Sequence, residues 1–136
     1  MTALKVGDAL PVVRKRVTQE QVRRYADASG DHNPLHLDAD FAAKTAFKRP
    51  IAHGMLTLAV VMELLAQAFG RPFLEGGRLR VRFKGPVYPG DDVTAEGRVT
   101  REIVEQGRRY LECAVALKNP KGEEVVTGTA FVPLPQ

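Results

Sequence analysis

The segment from Met55 to Phe69 constrains the fold of this chain more than any other part of the sequence. It is apolar on nearly every side of a helix, and only Thr57, Glu63 and Gln67 interrupt it. It is shorter than the roughly 20 residues that span a bilayer, so no membrane partner is expected. A helix that is apolar all round is surrounded by protein. The sequence therefore predicts a buried helix from about Gly54 to Phe69, with Met55, Leu56, Leu58, Val61, Met62 and Leu65 in the core.

Several segments elsewhere in the chain can wrap this helix. Their apolar and polar residues alternate, as in strands with one buried face, and Gly, Pro and Asn separate them. The predicted strands are Pro11 to Val17, Arg78 to Phe83, Asp91 to Arg101, Arg108 to Lys118 and Glu123 to Val132. Alternation is clearest where Leu79, Val81 and Phe83 share one face. We predict a single α+β domain over residues 1–136, in which one antiparallel sheet of about five strands curls round one long central helix.

Charge and cysteine content narrow the class of protein. The chain carries 20 Lys and Arg against 16 Asp and Glu, a net charge of +4 that attracts anions such as phosphates only mildly. It has no long basic run, zinc signature or aromatic RNA-binding motif, so nucleic acid is not an expected partner. The single cysteine, Cys113, cannot form an internal disulfide. The first residues contain no apolar stretch of signal-peptide length. A cytoplasmic location is expected.

Two helix signals flank a loop that is dense in polar side chains. Thr18 can cap a helix, and Gln21 three residues on completes a capping box. Gly30 and Pro34 then disfavour the helical conformation. Asp38 can cap a second, short helix. The sequence therefore predicts an irregular, polar segment from Ser29 to Pro34.

Asp31 and His36, in and just after this loop, carry groups suited to acid–base chemistry. Five residues apart, they would point about 140° away from each other on one helix, but the Asn33-Pro34 step forces a turn that can bring both side chains together. Histidine titrates near neutral pH, and a neighbouring carboxylate can orient it or take a proton itself. Taken alone, the pair is more simply explained by a turn aspartate and a hydrogen-bonded, partly buried histidine.

His32, His36, Asp31 and the downstream His53 also suggest a metal site. Pro34 removes the helix that would align the first two histidines, and the sequence contains no His-Glu-x-x-His motif. We therefore expect no metal.

A longer pattern contains the Asp–His pair. Residues 25–38 read Tyr-Ala-Asp-Ala-Ser-Gly-Asp-His-Asn-Pro-Leu-His-Leu-Asp, and similarity continues through residues 41–55 and 85–91. This pattern closely resembles the hydratase signature of the MaoC-like R-specific enoyl-CoA hydratases, which have the hot-dog fold. The resemblance covers nearly the whole chain and is greatest to the small, single-domain, bacterial PhaJ-type members.

The resemblance implies reversible, R-specific hydration of trans-2-enoyl-CoA, with no metal or redox cofactor. It assigns the catalytic pair to Asp31 and His36, and thioester-oxygen binding to the backbone N–H of Gly54. A helix start suits that role independently, because its unpaired N–H groups favour negative charge. The implied supporting residues are Asn33, Ser29 and His53. Which member of the pair is acid and which is base stays open.

The resemblance also implies an acyl-CoA thioester substrate and a homodimer whose sheets join edge to edge. Candidate substrate contacts are Tyr25, Met55, Arg82 and Lys84. Arg82 and Lys84 belong to an alternating charged row, which is equally typical of a solvated sheet face.

Two alternatives keep the same fold. One is a 3-hydroxyacyl-ACP dehydratase of fatty-acid synthesis, whose active site would look much the same. The other is a non-catalytic acyl-thioester-binding subunit, although such subunits usually lack one member of the pair. Thioesterases of this fold place their acidic residues differently.

Overall fold

A five-stranded antiparallel sheet wraps one 16-residue helix. The computed structural model describes residues 3–135. Its elements, in chain order, are β1 (Val13–Arg16), α1 (Gln19–Ser29), α2 (Pro34–Leu37), α3 (Ala39–Ala43), α4 (Gly54–Phe69), α5 (Arg71–Gly76), β2 (Arg78–Phe83), β3 (Asp92–Glu105), β4 (Arg108–Lys118) and β5 (Glu124–Pro133). The sheet order is β1-β3-β4-β5-β2. This architecture confirms the predicted α+β class and the arrangement that the hot-dog resemblance implies.

The central helix α4 has the predicted bounds and forms the core with the sheet. Val61, Leu64 and Leu65 are fully buried on α4. The sheet contributes further fully buried side chains to the same core, among them Val93, Val99, Cys113, Leu117, Val126 and Ala130. Within residues 3–135, no helix combines the length and the apolar character needed to cross a bilayer.

One side of α4 remains open, which the sequence did not predict. Leu58, Val61 and Leu65 are buried as expected, and Leu56 is half-buried. Met55 and Met62 are 57% and 42% exposed, so their assignment to the core is wrong for the single chain. Phe83 at the end of edge strand β2 is 52% exposed, although its alternation with Leu79 and Val81 predicted a buried face. An edge strand has a neighbour on one side only, and no strand within residues 3–135 pairs with the outer edge of β2.

The strand predictions hold with small shifts in their ends. β2 and β4 have the predicted bounds, whereas β3 continues to Glu105, past the predicted end at Arg101. A register shift between Val99 and Arg101 allows β3 to stay paired with β4 along this extra length. Helices α2 and α5 were not predicted, because each is shorter than two turns and has proline in its first turn.

Local capping determines where the polar loop begins and ends. The Thr18 hydroxyl accepts from Gln21 N at 3.1 Å, and the Gln21 side chain accepts from Thr18 N at 3.2 Å, which completes the predicted capping box. Gly30 ends α1 with φ 81°, a left-handed conformation that glycine adopts without strain. The Asp38 carboxylate caps α3 by accepting from Asp40 N and Phe41 N. Asn33 caps α2, so capping residues set both ends of the loop between α1 and α2.

The burial of Cys113 predicts an unreactive thiol. Burial raises the pKa of Cys113 to about 12 from its ordinary value of 9.0, and thiolate is the reactive form. At pH 8 the native thiolate fraction is therefore about a thousandfold below that of the unfolded chain. Labelling with a thiol-specific reagent at pH 8 should be slow in the native protein and fast in guanidinium chloride. Equal rates in both conditions would contradict the burial of Cys113.

Candidate active site

Three side chains from separate segments meet at the start of α4. Asp31 comes from the loop after α1, His36 from α2 and His53 from the residue that precedes α4. One oxygen or nitrogen atom of each lies within 4.8 Å of such an atom of the other two. The predicted pair, Asp31 and His36, is therefore brought together, and His53 completes a compact polar cluster.

Local hydrogen bonds orient Asp31 within its loop. Asp31 N donates to the Ser29 hydroxyl at 3.2 Å, and Asp31 Oδ1 accepts from Asn33 N at 3.2 Å. Asn33 in turn caps α2, because its Oδ1 accepts from Leu35 N at 2.9 Å. Ser29 and Asn33, both predicted as supporting residues, lie next to Asp31. The Asp31 side chain is exposed, and its second carboxylate oxygen faces no protein donor among the described residues.

A backbone carbonyl determines which nitrogen of His36 carries the proton. His36 is buried, and its Nδ1 lies 2.8 Å from Ile51 O. Because a carbonyl only accepts, Nδ1 is the donor, and the neutral ring keeps its lone pair on Nε2. The main chain of His36 is held as well, since the Gln19 side-chain amide donates to His36 O at 3.0 Å. His36 thus has one nitrogen, Nε2, that is able to accept a proton from a substrate or water.

His53 is buried and contacts both members of the pair. Its ring stacks on His36 with 3.9 Å between centroids and 24° between planes. Its Nε2 lies 3.0 Å from Asp31 O, and its exposed fraction is only 2%. Tyr25 also packs against the His53 ring, with 4.8 Å between centroids and 59° between planes. The structure therefore brings Tyr25, a candidate substrate contact, into the cluster through the His53 ring.

The backbone at Gly54 is open where α4 begins. Gly54 is exposed and occupies the first helical position, where its N–H has no acceptor within the helix. A β-carbon on this residue would lie 3.2 Å from the Phe83 ring. A helix start carries partial positive charge, so an oxygen with negative charge would be stabilised there. The glycine lets such an oxygen approach the backbone closely.

The stacking of His36 and His53 argues against a shared metal ion. An imidazole nitrogen binds a metal in the plane of its ring, at about 2.1 Å. Two rings that are stacked 3.9 Å apart with nearly parallel planes cannot both direct a lone pair at one such point. His32, the other candidate ligand, lies outside the cluster and pairs with Asp27 on the surface at 3.0 Å.

The remaining candidate substrate contacts lie outside the polar cluster. Met55 is exposed beside Gly54 on α4. Arg82 precedes Phe83 on β2, and because side chains alternate along a strand it points away from the face that meets Gly54; Lys84 directly follows the strand. Sequence reasoning missed the roles of Ile51 O and Gln19. No local pattern identifies a distant carbonyl or amide as the partner of a histidine.

Comparison with known proteins finds hydratases and dehydratases that are similar to this chain. The family described as MaoC like domain matches residues 5–119. The (R)-specific enoyl-CoA hydratase of Aeromonas caviae is 41% identical over 98% of this chain and 97% of its own length. The 3-hydroxybutyryl-CoA dehydratase of Methylorubrum extorquens is 33% identical over 98% and 82%. The structure of the (R)-hydratase from A. caviae involved in PHA biosynthesis superposes with a TM-score of 0.83 at 38% identity, over 99% of this chain and all of that one. R-Hydratase PhaJ1 from Pseudomonas aeruginosa gives 0.81 at 33%, over 98% and 83%.

The surface pair beside the site predicts a pH effect. The hydrogen bond to Asp27 raises the pKa of His32 above its ordinary 6.5. The pair therefore stabilises the fold fully below the unfolded pKa, and this contribution is lost as the pH rises through the folded value. In an NMR titration, His32 should titrate above 6.5, and Asp27→Asn should lower its pKa. An unchanged titration in Asp27→Asn would contradict the pairing.

Proposed function

Since this chain belongs to the family of MaoC-like domain proteins, we propose that it works as an R-specific enoyl-CoA hydratase. It adds water reversibly to a trans-2-enoyl-CoA and gives an R-3-hydroxyacyl-CoA, which makes it a lyase. The observation that carries the proposal is the meeting of a carboxylate, a buried single-tautomer imidazole and an open helix start in one cluster. This set of groups supplies both a proton-transfer pair and a site for an oxyanion.

Hydration begins with a water molecule between the Asp31 carboxylate and His36 Nε2. The water oxygen bonds to the β-carbon of the enoyl group and gives up one proton to the pair. The electron pair of the carbon–carbon double bond moves toward the carbonyl, and negative charge develops on the thioester oxygen. The Gly54 N–H donates to that oxygen, where the helix start stabilises the charge.

Proton return completes the reaction. The pair delivers a proton to the α-carbon, the electrons return from the oxygen, and the thioester carbonyl re-forms. One pair serves both transfers from one side of the substrate, so addition is syn. Both transfers use side chains alone, and we therefore propose that no metal or redox cofactor takes part.

An apolar groove beside the cluster suits the acyl chain. It has a volume of about 270 Å³ and contains Leu58, which lies one helical turn after Gly54. The other apolar residues of the groove are Met62, Phe73, Leu74, Leu79 and Val81. We propose that the hydrocarbon chain of a thioester bound at Gly54 lies in this groove. We propose Tyr25 and Met55 as contacts nearer the reacting carbons, and Arg82 and Lys84 as contacts for the phosphates of coenzyme A.

The open flank of the single chain supports a homodimer. β2 ends the sheet, so one side of its backbone has no strand partner within residues 3–135. Phe83 and Met55, both more than half exposed, lie on the same flank. Pairing of two β2 edges would satisfy the backbone groups and cover these side chains. The buried free thiol of Cys113 fits the reducing cytoplasm that we propose as the location.

Replacing either member of the pair should slow hydration strongly without unfolding the protein. We expect Asp31→Asn and His36→Gln to lower kcat on crotonyl-CoA by about 100-fold to 10,000-fold, because each removes a proton-transfer group. Loss of the enoyl-thioester absorbance measures the rate, and chiral analysis should find R-3-hydroxybutyryl-CoA. Surface variant His32→Gln is the matched control. Full activity in either pair variant, or an S product, would contradict the mechanism; turnover of acyl-ACP alone would favour the dehydratase alternative.

A charge at the open flank should weaken the dimer. Phe83→Lys places an ammonium group in the apolar contact, and we expect the dimer dissociation constant to rise at least tenfold, or about 1.4 kcal/mol. Val104→Lys is the control. Val104 is also an apolar strand residue and is 65% exposed, but it lies on β3 and not on the proposed contact strand β2. Sedimentation velocity measures both variants. A wild-type monomer, or equal weakening by both variants, would contradict pairing through β2.

A further inference from the structure

The loop that carries Asp31 is held almost entirely by its own neighbours. Its hydrogen bonds to Ser29, Asn33 and Asp27 all join residues at most five positions apart. The bond from Gly30 N to Ala26 O is equally local. Loop residues 30–34 are all exposed. Short-range bonds of this kind shape a loop, but they do not fix its position relative to the rest of the protein.

One hydrogen bond joins this loop to the core. Among the described residues, the bond between His53 Nε2 and Asp31 O is the only one to residues 30–33 that spans more than five positions; it spans 22. Its donor lies on a side chain that is 98% buried and that directly precedes α4. This hydrogen bond therefore links the main chain of Asp31 to the start of the central helix.

The same ring also contacts the second member of the pair. His53 stacks on His36 at 3.9 Å, and His36 is held from its other edge by Ile51 O. His53 thus touches Asp31 through a hydrogen bond and His36 through its face. A single rigid ring is therefore in contact with both members of the pair.

Because His53 is buried, its ring makes a hydrogen bond through one nitrogen only, Nε2. Asp31 O is a carbonyl and accepts, so His53 Nε2 is the donor. His53 Nδ1 is buried and has no hydrogen-bond partner within the described residues. A proton on Nδ1 would be buried without an acceptor, which is costly, so of the two neutral tautomers the one with its proton on Nε2 is favoured. The ring is a fixed donor to Asp31 and is not a second base.

We propose that His53 is a positioning residue, which sets the separation and orientation of Asp31 and His36 by donating from Nε2 to the Asp31 carbonyl while stacking on His36. This inference rests on the proposed hydratase function. His53 itself touches neither water nor substrate in the mechanism. Misplacement of a catalytic group by about 1 Å can cost about 100-fold in rate, so the bond should control kcat.

Two amide variants distinguish the effect of losing the hydrogen-bond donor from the effect of losing the imidazole ring. The side-chain nitrogen of Gln is four bonds from Cα, as Nε2 of His is, whereas that of Asn is only three. His53→Gln can therefore restore the donor to Asp31 O, and His53→Asn cannot reach it, although both place an amide in the same buried site. If His53→Asn does not fold, His53→Leu replaces it as the variant without a donor. His32→Leu, which removes only a local bond, is the control.

Kinetics on crotonyl-CoA and amide hydrogen exchange give independent readouts. We expect His53→Asn to lower kcat about 100-fold with little change in KM, and His53→Gln to stay within about tenfold of wild type. Exchange at the amides of Asn33, Leu35 and His36 should accelerate in His53→Asn but not in His53→Gln. Equal kcat losses in the two variants, a loss confined to KM, or an equal effect of His32→Leu would overturn the proposal.

The two readouts also separate this proposal from the proposed function. If wild-type protein does not hydrate any enoyl-CoA, the hydratase function fails, and exchange alone decides the role of His53. Faster exchange in His53→Asn alone would then support the link to Asp31, and equal exchange in both variants would overturn it. If wild type is active and the exchange rates are equal, the positioning role fails while the hydratase function stands.

Discussion

The burial of α4 is the constraint on which the rest of the structure depends. A 16-residue helix that buries Val61, Leu64 and Leu65 needs a surface on several sides, and the curled sheet provides it. Packing a long helix into a sheet fixes where that helix begins. Its first residue, Gly54, is therefore held at a defined place, and the residues before it, Ile51 to His53, are held with it. The polar cluster is built at this fixed point.

Backbone carbonyls organise the chemistry of the cluster. Ile51 O and Asp31 O each accept from a histidine, and a carbonyl has no proton to give. The first bond leaves His36 Nε2 free for proton transfer, and the second makes His53 a donor to the loop. The same short segment, residues 51–54, thus supplies a tautomer-fixing acceptor, a buried ring and an open N–H. The proposed chemistry combines these three elements with the Asp31 carboxylate and His36 Nε2.

The exposed apolar flank beside β2 is the second feature of the fold on which our proposals depend. Met55, Met62 and Phe83 are large apolar residues with more than two fifths of their surface exposed, and β2 is an unpaired edge. Exposed apolar area at a strand edge is unfavourable in water unless another surface covers it. The groove that we propose for the acyl chain contains Met62, and the proposed dimer contact contains Met55 and Phe83. In our proposal, substrate binding and dimer formation therefore use neighbouring parts of one surface.

The sequence by itself determined the parts that depend on neighbouring residues. Periodicity gave the bounds of α4, β2 and β4, and capping residues gave the start of α1, because these signals act within a few positions. A fourteen-residue motif pointed to the family and to Asp31 and His36 as the candidate pair. Only the tertiary structure decided that Ile51 O fixes the His36 tautomer, that His53 lies beneath the pair, and that Met55 and Met62 stay open. Those contacts join segments 15 or more positions apart, or depend on which flank the sheet leaves uncovered. Packing of the whole chain fixes such distances, and no local pattern encodes them.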